Sequence, residues 1–168
     1  MGKVVLTASQ IEKHRRVQFV LLILLIAAQT IFIFGNSMLD KEDSKQASLG
    51  ICAFFKRLLD PQNRIDQEVF HHYIRKLAHF TEFGVLGALW NGTVYYRARR
   101  FGAYTFIALF AALFTAVCDE FLQSFTGRGS MVSDVLIDFS GGVCGIAFAA
   151  VLITIIQRHI QKRKESPS

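Results

Sequence analysis

Charge is scarce in this chain: Asp, Glu, Lys and Arg together make up 19% of its 168 residues, Pro occurs twice and Trp once. So few charges cannot cover the surface of an ordinary soluble domain. Hydrophobic residues reach 52% and the mean hydropathy is positive, which is the composition of a membrane protein. The three cysteines, Cys52, Cys118 and Cys144, lie far apart with no CxxC or CxxH spacing, so nothing marks a cysteine-framed metal or redox motif. No glycine-rich phosphate loop, dinucleotide fingerprint or serine triad is present. A net charge of +6 would direct a soluble chain toward nucleic acid. Here the basic residues flank apolar runs, where they set membrane orientation, and no nucleic-acid partner is expected. The sequon Asn91-Gly92-Thr93 falls inside an apolar run and reads as chance.

What is abundant is long apolar sequence. Val17 to Phe34 is interrupted only by Gln18 and Gln29 and is long enough to cross a bilayer as a helix. A signal peptide is the competing reading, but no small-x-small cleavage site follows, so a retained span is expected. Residues 37–74 form the one long polar connection. Within it, Leu49 to Leu59 is apolar but too short to span, and reads as an interfacial amphipathic helix. Further spans are expected over Leu77 to Tyr96, with an early helical start in Gln67 to Tyr73, over Phe101 to Phe125, and over Val132 to Ile156. The connection between spans two and three is so short that they must be antiparallel neighbours.

The fold expected is therefore all-α, a bundle of four transmembrane helices with a short interfacial helix in the loop between spans one and two. A segment 1–16 precedes the membrane domain 17–156, and a basic tail 157–168 follows. With both termini cytoplasmic, 11 of the 19 basic residues fall inside and nearly all the acids outside, which is the orientation the basic bias favours. The tail, Arg158 to Lys164, then meets anionic inner-leaflet lipid.

This topology gathers polar residues. Asp119 lies about 27 Å along span three at 1.5 Å per residue, close to the outer surface. Asp134 and Asp138 open span four, and Lys76, His79 and Glu82 open span two. Asn36 and Ser37 close span one. Spacings of three and four put Lys76, His79 and Phe83 on one stripe, and Thr115, Asp119 and Gln123 on another, with Glu120 turned about 100° away. Asp134, Asp138, Gly141 or Gly142, Gly145 and Ala149 share a face whose small residues permit close helix contact. Blander roles exist for some: Lys76 and Arg75 as interfacial anchors, Asp134 as a helix cap, Arg128 as a turn residue. Asp119 and Glu120, adjacent acids still inside an apolar helix, have no anchoring use. Ionisable groups there read as functional. His71 and His72 precede the span and read as solvated, although within reach of such a pocket.

The segments RKLAHFTEFGVLG, DEFLQSFTGR and SDVLIDFSGGVCG resemble the VanZ-like family of small bacterial membrane proteins, over about residues 20 to 155. The resemblance assigns the family's recurrent positions to Lys76, His79, Asp119, Glu120, Gln123, Arg128, Asp134, Asp138 and Gly142. The ending IFIFGNSM only partly matches the family's serine-rich FSS. The resemblance implies a multi-pass protein of the bacterial cytoplasmic membrane, with founding members linked to teicoplanin (glycopeptide) resistance. It supplies no settled activity.

Three functions suit these residues. A binding protein would hold the head group of an outer-leaflet lipid, a polyprenyl phosphate or lipid-linked wall precursor, with Lys76, Arg75 and Arg128 on phosphate. An intramembrane hydrolase or transferase on such lipids would use Asp119, Glu120 and His79 as acid and base. In that case His79, Asp119, Glu120 and Asp138 are the candidate ligands of Mg²⁺ or Mn²⁺. A structural subunit would use the same polar groups as links between helices.

Overall fold

The computed structural model describes residues 8–39, 41–98, 102, 104–126 and 131–165. Every regular element among them is helical: α1 Ala8–Ser37, α2 Lys41–Leu59, α3 Gln67–Ala98, α4 Thr105–Ser124 and α5 Val132–Glu165. Three of these, α1, α4 and α5, are long and apolar enough to cross a membrane. α3, with 32 residues, is long enough but less apolar. His71, His72, Arg75, Lys76, His79 and Glu82 dilute its first half, for a reason that its position supplies. α3 packs against α5 most extensively and touches α1, α4 and α2 as well. It is the central helix, so polar residues such as Lys76, His79 and Glu82 can meet groups on other helices.

The outside is apolar. Phe106, Phe110, Phe114 and Phe121 project from α4, Leu24 and Ile31 from α1, and Phe148 and Val151 from α5, all more than half exposed. In water such a surface would aggregate. In hydrocarbon it is the solvated face, and this is a membrane protein. Its interior is correspondingly lean: Ile26, Ile33, Phe83, Leu86 and Ala116 form the buried apolar cluster. Hydroxyls within the helices satisfy themselves on the preceding turn, as when Thr93 Oγ1 donates to the Leu89 carbonyl at 2.8 Å and Thr115 Oγ1 to that of Ala111 at 2.8 Å.

Small residues set the spacing of the helices. A Cβ built on Gly145 would run into the carbonyl of Gly84, one on Gly141 into that of Phe80, and one on Gly87 into that of Gly142. On α4 the fully buried Ala108, Ala112 and Ala116 repeat every fourth residue, and a Cβ on Gly142 would meet Ala112. α5 thus lies in near backbone contact with α3 and close to α4, the arrangement small-xxx-small faces allow.

α2 begins eight residues before the apolar stretch Leu49 to Leu59 and docks on α3. Its apolar residues Leu49, Ile51, Phe54 and Leu58 are exposed, as suits an interfacial helix. The loop behind it is clipped by Asp60, whose carboxylate accepts the Arg64 and Ile65 amides at 2.8 and 2.9 Å. Those two amides hold the Asp60 carboxyl below its ordinary range. Lys56 Nζ donates to the Ile65 carbonyl at 3.0 Å. α5 continues nine residues past Ile156, so the start of the basic tail is helical.

Gly145→Ala and Gly141→Ala should each destabilise the bundle by about 1–3 kcal/mol through overpacking against backbone. Gly35→Ala, with open space around it, should be neutral or slightly stabilising. Thermal unfolding of detergent-solubilised protein measures the difference; equal melting temperatures for the three variants would contradict the packing described.

Candidate functional site

Hydrogen bonds fix which helix ends lie together. Tyr96 near the end of α3 donates to Gln18 Oε1 at 2.8 Å and to the Arg15 carbonyl at 3.2 Å, near the start of α1. At the other end, Asn36 Nδ2 approaches Glu82 Oε1 at 3.4 Å and Gln29 Nε2 donates to the Glu82 carbonyl at 3.1 Å. α1 and α3 are therefore antiparallel. The end of α1, the start of α3, the end of α4 and the start of α5 meet at one end of the bundle.

Asp119 is the centre of that end and is 0% exposed. Ser37 Oγ, equally buried, donates to Asp119 Oδ1 at 2.5 Å, and Gln123 Nε2, one turn further along α4, donates to Oδ2 at 2.8 Å. Charge-assisted bonds of this length are the strong kind, and they fix the carboxylate on both sides. His79 from α3 brings Nδ1 to 3.8 Å from Asp119 Oδ2 and 3.7 Å from Asp138 Oδ1. Asp138, 2% exposed, comes from α5 on the same face as the glycines. Three helices thus converge with one imidazole nitrogen and two carboxylate oxygens, all within 4.8 Å of one another.

Above this cluster opens a cleft lined by His72, Arg75, Lys76, His79, Gln123, Asp134, Ile137 and Asp138. Its inner room is about 20 Å³, enough for a water or a small ion but not for a sugar. Lys76 Nζ pairs with Asp134 Oδ1 at 3.0 Å at the partly exposed mouth. Asp134 is therefore a link between α3 and α5, and its side chain serves that link instead of capping α5.

Two of the expected residues sit apart from the cluster. Glu120 is buried, but its Oε1 accepts the Met131 amide at 2.5 Å and ties the end of α4 to the start of α5. The 100° turn from Asp119 to Glu120 on the helix places it there, so it offers that oxygen to backbone and not to His79. Glu82 lies one turn deeper on α3, beside Asn36. Arg128 lies outside the described residues. Ser37 joins the site, although the sequence marks it as a polar residue closing the first apolar run and as part of an ending that only partly matches the family's FSS; a small hydroxyl carries little signal until a partner from another helix is known. His72, exposed on the second turn of α3, also lines the cleft.

A helical membrane protein with a buried His–Asp–Asp cluster at one end of its bundle is the class these observations define. A family model described as VanZ/LLP1 matches residues 19–154, and the chain belongs to that family. No curated protein and no solved structure matches it significantly.

The Ser37–Asp119 bond joins α1 to α4 and is expected to show a coupling of about 1–2 kcal/mol in a double-mutant cycle of Ser37→Ala with Asp119→Asn. That is the upper part of the range for polar links between membrane helices. Denaturant unfolding in micelles gives the coupling; strictly additive effects would remove the link from the stability of the bundle.

Proposed function

We propose that this VanZ/LLP1-family protein binds the phosphate-bearing head group of an outer-leaflet envelope lipid, with the cleft as its seat. The observation that carries this is the lining of the mouth. Arg75, Lys76 and His72 stand together on the first turns of α3, directly above carboxylates that draw cationic or hydrogen-bonding groups. An anionic oxygen entering between them displaces Asp134 from Lys76 and gains the ammonium and the guanidinium together, the latter in a bidentate fashion. The ligand class is a polyprenyl phosphate or a lipid-linked wall precursor, whose head group meets the cell-wall space at this depth. Carriage of such a lipid is also the route by which the protein would bear on glycopeptide resistance.

The reading includes a topology. α3 serves as the fourth span, its polar half shielded by α1, α4 and α5. Both termini face the cytoplasm of a bacterial cell, and the cleft and α2 lie at the outer surface of the cytoplasmic membrane. The basic residues at the ends of α3 and α5 support this orientation. The tail beyond Ile156 then continues as a basic helix, with Arg158, Lys162 and Arg163 within reach of anionic lipid.

Two measurements test the reading. In a chain whose native cysteines are replaced, Gln62→Cys should be labelled by an impermeant maleimide in intact cells, and Gln161→Cys only after permeabilisation; the reverse pattern inverts the protein and removes the cleft from the outer leaflet. Equilibrium binding of polyprenyl phosphate to purified protein should weaken by about tenfold or more in Lys76→Ala and in Arg75→Ala, through the loss of charge-assisted bonding to phosphate. Unchanged affinity in both variants would exclude the cleft as the phosphate site.

A further inference from the structure

The floor of the cleft has a property that the head-group reading does not need. Asp119 and Asp138 are both buried, and His79 is the residue that faces the two of them. Burying carboxylates in an apolar bundle costs several kcal/mol per ion unless a counter-charge or hydrogen bonds offset it. Lys76, at the mouth, is paired with Asp134 at 3.0 Å.

The contacts at the floor are of an unusual length. At 3.7 and 3.8 Å, His79 Nδ1 is beyond hydrogen-bond reach of either carboxylate oxygen. Atoms bound to one small cation at about 2.1 Å are separated by about 3 Å when adjacent and about 4.2 Å when opposite. The two separations from His79 fall between those limits. An independent observation points the same way: Asp138, 2% exposed, keeps its Oδ2 buried with no hydrogen-bond partner among the described residues, at the edge of a cavity with room for an ion. Asp119 is prepared as well, since Ser37 and Gln123 hold its two oxygens in place, the outer support that metal-binding carboxylates usually have.

We propose that His79, Asp119 and Asp138 form a divalent-cation site at the floor of the cleft, taking Mn²⁺ or the chemically similar Mg²⁺. Two hard carboxylate oxygens select this class over soft metals, and the single imidazole favours Mn²⁺ within it. Three protein ligands on one side leave the remaining coordination positions facing the cleft. There they are filled by water or by the phosphate oxygens of a bound head group, so the inference deepens the head-group reading and rests on the same cleft. Glu120 stands outside the group of three whose donor atoms converge within 4.8 Å, its Oε1 accepting the Met131 amide.

The test is a titration of Mn²⁺ into the purified full chain in lipid-free micelles, followed by electron paramagnetic resonance, in which bound Mn²⁺ loses the sharp six-line signal of the free ion. Wild type should quench the signal stoichiometrically, with excess Mg²⁺ restoring it. Ser37→Ala, which alters only the support of Asp119, should bind about 10- to 100-fold more weakly. Asp138→Asn and His79→Gln should lose at least as much while keeping the helical circular dichroism of wild type. Glu12→Gln, in the exposed pair with Arg16 at the far end of α1, should bind as wild type does. A wild-type signal equal to that of free Mn²⁺, or full-strength binding by both Ser37→Ala and Asp138→Asn, overturns the site. With no lipid present, such a failure removes the cation alone. Loss of the lysine effect on polyprenyl phosphate with Mn²⁺ binding intact removes the head group alone.

Discussion

The structure depends on how closely α5 lies against α3. Gly141 and Gly145 of α5 leave no room for a Cβ against the backbone of Phe80 and Gly84, and Gly87 leaves none against Gly142. Only that approach carries Asp138 to His79 and Asp134 to Lys76, since both aspartates stand on the glycine face of α5 one and two turns earlier. A bilayer gives helices no hydrophobic reason to associate, because lipid chains are as apolar as leucine. Backbone proximity, with its dispersion contacts, is what holds this pair together. The polar cluster sits at the end of an interface that glycine makes possible.

The same solvent explains where the charges are. At the middle of the bundle the polar groups are few and neutral: Thr93 bonds to its own helix and Asn91 Nδ2 donates to the Ile146 carbonyl at 3.2 Å. Carboxylates appear where the four helix ends meet, and several have neighbours suited to them. Asp119 has a hydroxyl and an amide, Glu120 a backbone N–H, and Asp134 an ammonium. Asp138 Oδ2 and the second oxygens of Glu82 and Glu120 remain buried without a donor among the described residues.

Much of this was legible in the residues. Stripes of three and four on Thr115–Asp119–Gln123 and on Asp138–Gly141–Gly145 follow from helical geometry, and burial on the structure follows those stripes. The direction of Glu120 was legible as an angle but not as a contact, because Met131 reaches it only once α5 is placed. α3 is hard to read as a span by hydropathy alone, since a central helix carries the polar residues that its neighbours hide. Ser37 could not be singled out: its value comes from Asp119, 82 positions later, and no local pattern links the two. The length of α2 was missed for a related reason, as its polar first half is helical without any apolar face to announce it.

The room at the floor of the cleft, about 20 Å³, has a consequence for selectivity. Space for one or two atoms cannot inspect a saccharide or a pentapeptide; those parts of any guest would hang outside, among lipid head groups and solvent. On the head-group reading, a carrier would then be recognised by its anionic joint, whatever cargo it bears. Loaded and empty forms of one carrier would compete for the protein on nearly equal terms, and their relative abundance in the leaflet, more than any difference in affinity, would decide which is held.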